Sequence, residues 1–351
     1  MHVAVALLTL IVVSTSGTWW QIGEDLMEQA ELYGSAFTVT CSKYNLTAEQ
    51  ERQCKEPFNR DFVISMGQGV NVVARHCNQT FKNRKWNCSY FGGNHPFGRI
   101  AYQESRETAY LFGITSAMAM YTVTRNCAKG KIDNCDCGPN PRDDADKREG
   151  FTWGRCTEDV KFGLDVTERF IDAAERPNSG GGYDATELMN LHNNEAGRLM
   201  VKNDMVRVCQ CHGFSGSCEV KTCWKEMIPW KEVFENLKDK YDSSVKVELD
   251  KRSNRLRNYH ASDKRFQDED MVYLKDSPNL CDYNQVTGSL GTQGRNCSSK
   301  SNVDNSCTVL CCGRGYVTRE SIEESSCYCR LKGFRLHCET CTKPIIEHFC
   351  K

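Results

Sequence analysis

The sixteen residues Cys209–Trp224 read C-Q-C-H-G-F-S-G-S-C-E-V-K-T-C-W and hold four cysteines, one histidine and two serines. Those side chains could support three kinds of chemistry. Gly213-Phe214-Ser215 begins like the nucleophile elbow of a hydrolase, with Ser215 as nucleophile. That motif requires glycine two residues past the serine, where this chain has Ser217, and a sharp strand-to-helix turn. Cys209, Cys211 and His212 could instead ligate a metal, provided the thiols stay reduced. In the third reading the cysteines pair in nested fashion, Cys209 with Cys223 and Cys211 with Cys218, and make a doubly stapled hairpin. Its tip would be His212, Gly213, Phe214, Ser215, Gly216 and Ser217. The outer ring would contribute about 3 kcal/mol and the inner ring roughly 2 to 3 kcal/mol. So much covalent bracing around one large apolar residue suits a tip that projects rigidly from the body. The glycines leave the Ser215 hydroxyl unshielded, open to a modifying group.

The compartment bears on these readings. The chain has 351 residues, about two domains' worth, and 22 cysteines, an even count that reads as up to eleven disulfides in an oxidising compartment. Val3–Val13 (VAVALLTLIVV) is an apolar run of eleven, followed by the small residues Ser14, Thr15, Ser16 and Gly17. The run is too short to span a bilayer, which takes about 20 residues, and predicts a secretory signal peptide over residues 1–17. No later segment is long and apolar enough to span. The expectation is a chain exported through the endoplasmic reticulum to the extracellular space and matrix. Four glycosylation sequons, at Asn45, Asn78, Asn87 and Asn296, agree with it. Lys and Arg number 45 against 46 acidic residues, a balance that gives no case for a nucleic-acid partner. An apolar fraction of 39% supports an ordinary core and excludes a disordered or collagen-like chain.

The elements that must hold the hairpin follow from periodicity. Twelve cysteines fall between Cys41 and Cys223, none between Trp224 and Leu280, and ten between Cys281 and Cys350, which predicts two differently stabilised domains. Phe62, Met66, Val70, Val73 and Cys77 share one helix face. Leu111, Ile114, Met118 and Tyr121 repeat the pattern. Val160, Leu164, Thr167 and Ile171 give a third helix, with Thr157 as its expected cap. A fourth opens at Asp184, with Glu187 completing a capping box, and carries Leu188, Leu191, Glu195 and Leu199. These stripes are read as core. Residues 138–150 and 177–183 are loops. Strands are expected at Val245–Leu249 and Met271–Leu274. Lys251, Arg252, Arg255, Arg257, Lys264 and Arg265 form a basic run facing one acid, Asp263. The run is read as an interdomain linker over 251–270, and could bind a sulfated glycosaminoglycan such as heparan sulfate or be a solvated, cleavable loop. The predicted division is residues 18–250 as an N-terminal helical domain including the hairpin 209–224, the linker, and residues 271–351 as a cysteine-rich domain. The fold class is α+β and disulfide-rich.

Six blocks in order make a resemblance. Cys211–Cys218 (CHGFSGSC) closely resembles the acylation motif of the Wnt family of secreted signalling proteins. Arg84–Cys88 (RKWNC), Arg106–Arg125, Met189–Arg198 (MNLHNNEAGR), Asp270–Cys281 (DMVYLKDSPNLC) and Cys311–Tyr316 (CCGRGY) resemble other blocks of that family, so the similarity spans about Cys41–Cys350. The resemblance implies a lipid-modified morphogen, active in development, cell fate and polarity, that binds and does not catalyse. It carries a palmitoleoyl ester on Ser215, added by a membrane-bound O-acyltransferase, and N-linked glycans, and it needs no cofactor or metal. Its implied partners are the cysteine-rich domain of a Frizzled receptor, which takes the acyl chain, an LDL-receptor-related co-receptor and lipid-carrier proteins. It also implies the pairs Cys41–Cys54, Cys77–Cys88, Cys127–Cys135, Cys137–Cys156, Cys209–Cys223 and Cys211–Cys218 in the helical domain. In a cystine-knot-like C-terminal domain it implies Cys281–Cys312, Cys297–Cys307, Cys311–Cys350, Cys327–Cys341 and Cys329–Cys338. One departure stands out: between Cys329 and Cys338 the family usually has a Trp followed by two adjacent cysteines, a second receptor contact. Here the stretch is RLKGFRLH, in which Phe334 and Leu336 are the candidate replacements.

Overall fold

In the computed structural model, residues 18–23, 25, 40–56, 60–89, 96–140, 151–176, 182–332 and 335–351 are described. The expected signal peptide, most of the 138–150 loop, and residues 177–181 lie outside the described residues.

The helical part is built around one helix. Helices α1 (Ala48–Lys55), α2 (Arg60–Phe81), α3 (Arg106–Ala128), α4 (Val160–Ile171), α5 (Ala185–Asn203) and α6 (Trp230–Asp242) make up the layer. The core runs through α3: buried positions on it include Tyr110, Ile114, Met118 and also Thr115, Ser116 and Thr124, so it is covered on all sides. Helix α2 lays Phe62, Met66, Val70, Val73 and Cys77 against it, all buried, as their spacing predicts. Trp19 and Trp20 are buried in the same core. Helix α5 crosses α3 so closely that a Cβ on Gly197 would lie 2.0 Å from the Gly113 carbonyl oxygen, so only glycine fits there.

Two details differ from the sequence reading. Helix α4 is capped by Asp159, whose carboxylate accepts from the Lys161 and Phe162 amides, both at 3.1 Å. Thr157 instead donates to Asn140 Oδ1 and accepts from the Lys225 amide. On α5 the Asp184–Glu187 capping box forms, with both bonds at 2.8 Å. The buried face of that helix, however, is Met189, Asn190, Asn193, Asn194, Arg198 and Val201, while Leu188, Leu191 and Leu199 are only half-buried. Polar side chains occupy that face because each finds a partner, which offsets the cost of taking it out of water. Arg198 makes two bonds to Asp172, at 2.7 and 2.9 Å, and two to one oxygen of Glu195, at 2.9 and 3.1 Å. Asn194 donates to Asp172, and Asn190 to Glu175.

Strands β1 (Phe151–Trp153), β2 (Met205–Cys211) and β3 (Lys221–Met227) form a sheet in the order β1-β3-β2, with β2 and β3 antiparallel. Strands β4 (Val245–Asp250), β5 (Arg255–Asn258) and β6 (Val272–Tyr273) form a second, in the order β5-β4-β6. The basic run is therefore not an irregular linker throughout. Arg255 and Arg257 lie on β5, paired to β4, because Leu256 and Phe266 pack on the cluster of Met189, Val247 and Val272. Asn193 acts like an extra strand edge: its side chain donates to the Val272 carbonyl at 2.9 Å and accepts from the Val272 amide at 3.0 Å. His192 Nε2 lies 2.8 Å from the Asp270 carbonyl. The MNLHNNEAGR and DMVYLKDSPNLC blocks are thus two halves of one junction.

Beyond it come the short strands β7 (Tyr283–Asn284), β8 (Ser289–Leu290) and β9 (Asn296–Cys297), then the one-turn helix α7 (Cys307–Leu310). A long antiparallel ribbon follows, β10 (Tyr316–Lys332) and β11 (Arg335–Cys350), with β9 paired to the root of β11. The core here is Cys297, Cys307, Leu310, Cys311 and Cys350, almost entirely cystine sulfur. Such a domain cannot bury enough apolar surface to hold itself, and cross-links substitute for it. Arg295 joins it to the helical part by donating to the carbonyls of Lys82, Arg84 and Lys85 at 2.6 to 3.0 Å.

Candidate functional site

The hairpin β2–β3 is anchored at its root and bare at its tip. At the root Cys223 and Met227 are buried. The Met227 amide donates to the Glu158 carboxylate at 2.6 Å, and Arg125 pairs with Glu158 at 2.8 Å and with Glu226 at 3.3 Å. Burial pushes the Glu158 carboxyl above its ordinary value, against the pull of the Met227 amide and Arg125. The guanidinium groups of Arg155 and Arg207 each stack 4.9 Å from a ring, Trp224 and Phe151 respectively. Strand β1, parallel to β3, braces the sheet from the other side.

Cys209 and Cys223 face each other in register and are bonded, and Cys211 is bonded to Cys218. The remaining cysteines pair Cys41–Cys54, Cys77–Cys88, Cys127–Cys135 and Cys137–Cys156 in the helical part. The C-terminal pairs are Cys281–Cys312, Cys297–Cys307, Cys311–Cys350, Cys327–Cys341 and Cys329–Cys338. The pairing of Cys209 and Cys211 removes the thiolates a metal site at His212 would use. Cys297, Cys307 and Cys311 bring their sulfurs together, but all three are in disulfides.

The tip is a tight turn held by its own backbone. The His212 amide donates to the Val220 carbonyl at 2.8 Å, Gly213 to Ser217 at 2.7 Å, Gly216 to Gly213 at 3.0 Å and Ser217 to Phe214 at 3.1 Å. A side chain at Gly213 does not fit, because its Cβ would sit 2.5 Å from the Ser217 carbonyl oxygen. Ser215 has φ 55°, the left-handed region that favours glycine, and Gly216 follows at φ 80°. A non-glycine residue held there costs of the order of 1 kcal/mol, which the staples and turn bonds sustain. The result is an exposed Ser215 hydroxyl with no hydrogen-bond partner among the described residues, beside a Phe214 that is 93% exposed. The turn joins two strands, not a strand to a helix, so it lacks the geometry of a nucleophile elbow. What the arrangement does is hold out a hydroxyl.

The other candidate residues are dispersed. Phe334 lies outside the described residues, and Leu336 is on β11 opposite Leu331. Asn45, Asn78 and Asn296 are exposed and Asn87 is half-buried. Lys251, Arg252, Arg255, Arg257, Lys264 and Arg265 are all exposed, and Arg257 pairs with Glu248 at 2.7 Å.

A sequence model of the Wnt family matches residues 42–351. The chain belongs to the Wnt family. It is 35% identical to the Wnt-5b protein of Xenopus laevis, over 96% of this chain and 94% of that one. It is 33% identical to the Wnt-2b-A protein of the same animal, over 100% and 97%. A chain of the solved complex of human WLS with WNT8A superposes with a TM-score of 0.59 and 31% identity, covering 84% of this chain and 96% of that one. Wnt proteins are secreted signalling ligands of development, and this chain shares their fold, a helical region with a small cysteine-rich β domain. No helix among the described residues is long and apolar enough to cross a membrane. The residues that the sequence reading missed were Asn193, Arg198 and Glu158. The signal for Asn193 and Arg198 was polar residues recurring at helical spacing, which periodicity arguments discard; Glu158 lies between β1 and α4 and carried no such signal.

Proposed function

We propose that this Wnt protein is acylated on Ser215 with palmitoleate by a membrane-bound O-acyltransferase and uses that chain to bind a Frizzled cysteine-rich domain, activating Wnt signalling. The observation that carries this is the stapled tip, where an unengaged, exposed hydroxyl is held in left-handed backbone beside an exposed Phe214. At about 0.8 kcal/mol per buried methylene, such a chain contributes on the order of 10 kcal/mol gross. Nanomolar binding takes about 12 kcal/mol net, so the acyl chain supplies most of the grip and Phe214, His212 and the rest of the tip supply orientation. One chain gives only marginal membrane attachment, which leaves the ligand transferable to a carrier; WLS, which binds WNT8A, is the precedent. An LDL-receptor-related co-receptor would engage a different surface. The end of the β10–β11 ribbon, with Phe334 and Leu336 in place of the family's Trp and cysteines, is the second receptor contact. The cations at Lys251, Arg252, Arg255, Arg257, Lys264 and Arg265 are the site for heparan sulfate. The sequons at Asn45, Asn78, Asn87 and Asn296 are the candidate N-glycosylation sites of the exported chain.

The test is the intact mass of the secreted chain before and after hydroxylamine, with Ser215→Ala as reference. An ester-linked acyl group that disappears with hydroxylamine and with the substitution is expected, along with loss of binding to the receptor domain. A free hydroxyl in a fully active ligand would overturn the proposal.

A further inference from the structure

Two of the four sequons are one structural unit. Asn78, on α2, and Asn87 each adjoin a cysteine of the same disulfide, Cys77–Cys88, whose Cα atoms are 5.5 Å apart. Asn78 Nδ2, the atom that would take the sugar, donates to the Asn87 carbonyl at 2.9 Å and to Ser89 Oγ at 3.5 Å. Ser89, the hydroxyl residue of the second sequon, donates to Asn87 Oδ1 at 2.9 Å.

The segment between them cannot move aside. Phe81 and Trp86 are buried with their rings 4.7 Å apart. Arg295 of the C-terminal domain holds the carbonyls of Lys82, Arg84 and Lys85. Asn87 is half-buried. A glycan on Asn78 uses one of the two N–H groups that bridge to the second sequon, and a glycan on Asn87 would stand on the residue those bonds reach.

We propose that Asn78 and Asn87 are alternative glycosylation sites: a folded, secreted molecule carries a glycan on one or the other, and not on both. The choice yields two glycoforms that differ in what covers the seam between the helical part and the C-terminal domain. In the modification itself an oligosaccharide passes from a lipid-diphosphate donor to Asn Nδ2. The N–C1 bond forms, the C1–O bond to the diphosphate breaks, and Nδ2 loses one proton. Because transfer precedes folding, the exclusion acts on which chains can close the Cys77–Cys88 segment and leave the cell. The inference rests on the reading of the chain as an exported glycoprotein.

The disulfide makes the test direct. Trypsin without reduction leaves residues 76–82 and 86–99 joined through Cys77–Cys88. The mass of that joined pair therefore counts glycans per molecule, and glycosidase release in ¹⁸O water marks which asparagine carried one. We expect pairs with a glycan on either residue. The doubly glycosylated pair should fall at least about tenfold below the product of the two single occupancies, the cost of breaking one such hydrogen bond to make room. Asn87→Gln should raise occupancy at Asn78 and leave Asn45 and Asn296 unchanged. Doubly glycosylated pairs at the level of the product would overturn the proposal, as would an Asn78 that stays empty in Asn87→Gln. If that variant is not secreted, the wild-type pair count decides alone. A chain with no glycan at any sequon would defeat the glycoprotein reading itself, an outcome distinct from two glycans on one pair.

Discussion

Removing the inner staple with Cys211→Ser and Cys218→Ser tests whether rigidity of the tip matters to binding. The ring it opens runs over a sequence separation of 7 residues, for which loop-closure entropy gives about 2.5 kcal/mol at room temperature. The outer bond Cys209–Cys223 and the strand register remain, so the change falls on the tip, where four backbone bonds hold Ser215 in left-handed conformation. Apparent affinity scales with the fraction of molecules whose tip is already in the binding geometry. A loss of about 2.5 kcal/mol corresponds to a fall of up to about 70-fold in that fraction, and in affinity for a Frizzled cysteine-rich domain. Biolayer interferometry on the acylated fraction, matched by intact mass, measures it. Hydrogen exchange should rise at the amides of Gly213, Gly216 and Ser217 and stay level in α3. If equally acylated variant and parent bind alike while those amides exchange faster, the argument that the staple preorganises the ligand is wrong.

Four further outcomes follow from the fold. Burial holds the Glu175 carboxyl at about 7, up from 4.5, with Asn190 donating to it at 2.8 Å. A raised acid means that the folded chain keeps a proton the unfolded chain has lost. Its contribution to stability is thus full below pH 4.5 and is lost as pH rises through about 7. Glu175→Gln should remove that slope and stabilise the protein by about 3 kcal/mol at pH 8, read as the difference between variant and parent in urea titrations across pH; equal slopes would refute it. Asn193→Ala strands the Val272 amide and carbonyl and should cost about 3 kcal/mol, with faster exchange at the Val272 amide as the check. Gly197→Ala drives a Cβ to 2.0 Å from the Gly113 carbonyl and should abolish secretion. Gly130→Ala, with φ +65° and open space around it, should lower stability by only about 1 kcal/mol.

Much of this protein was legible in its residues. The stripe Phe62–Cys77 specified a helix and its buried face because apolar side chains at that spacing have only one way to leave water. The Asp184–Glu187 box specified where α5 begins, since capping is a local matter of four residues. The glycines and cysteines of 209–223 specified a tight braced turn, because their backbone freedom and cross-linking are properties of the chain itself. What the residues left open was decided by partners distant in sequence. Asn193, Arg198 and Glu158 look like misplaced polar groups until Val272, Asp172 and the Met227 amide arrive to pair with them. The basic run is a loop by composition and part of a strand pair in fact, because Leu256 and Phe266 find an apolar surface made by Met189 and Val272. Nothing in the spacing of Asn78 and Asn87 says that they touch; closing Cys77–Cys88 over the buried Phe81 and Trp86 brings them together. Local geometry is written along the chain, whereas satisfaction of buried polar groups is a property of the assembled interior and is settled only when the chain has closed on itself.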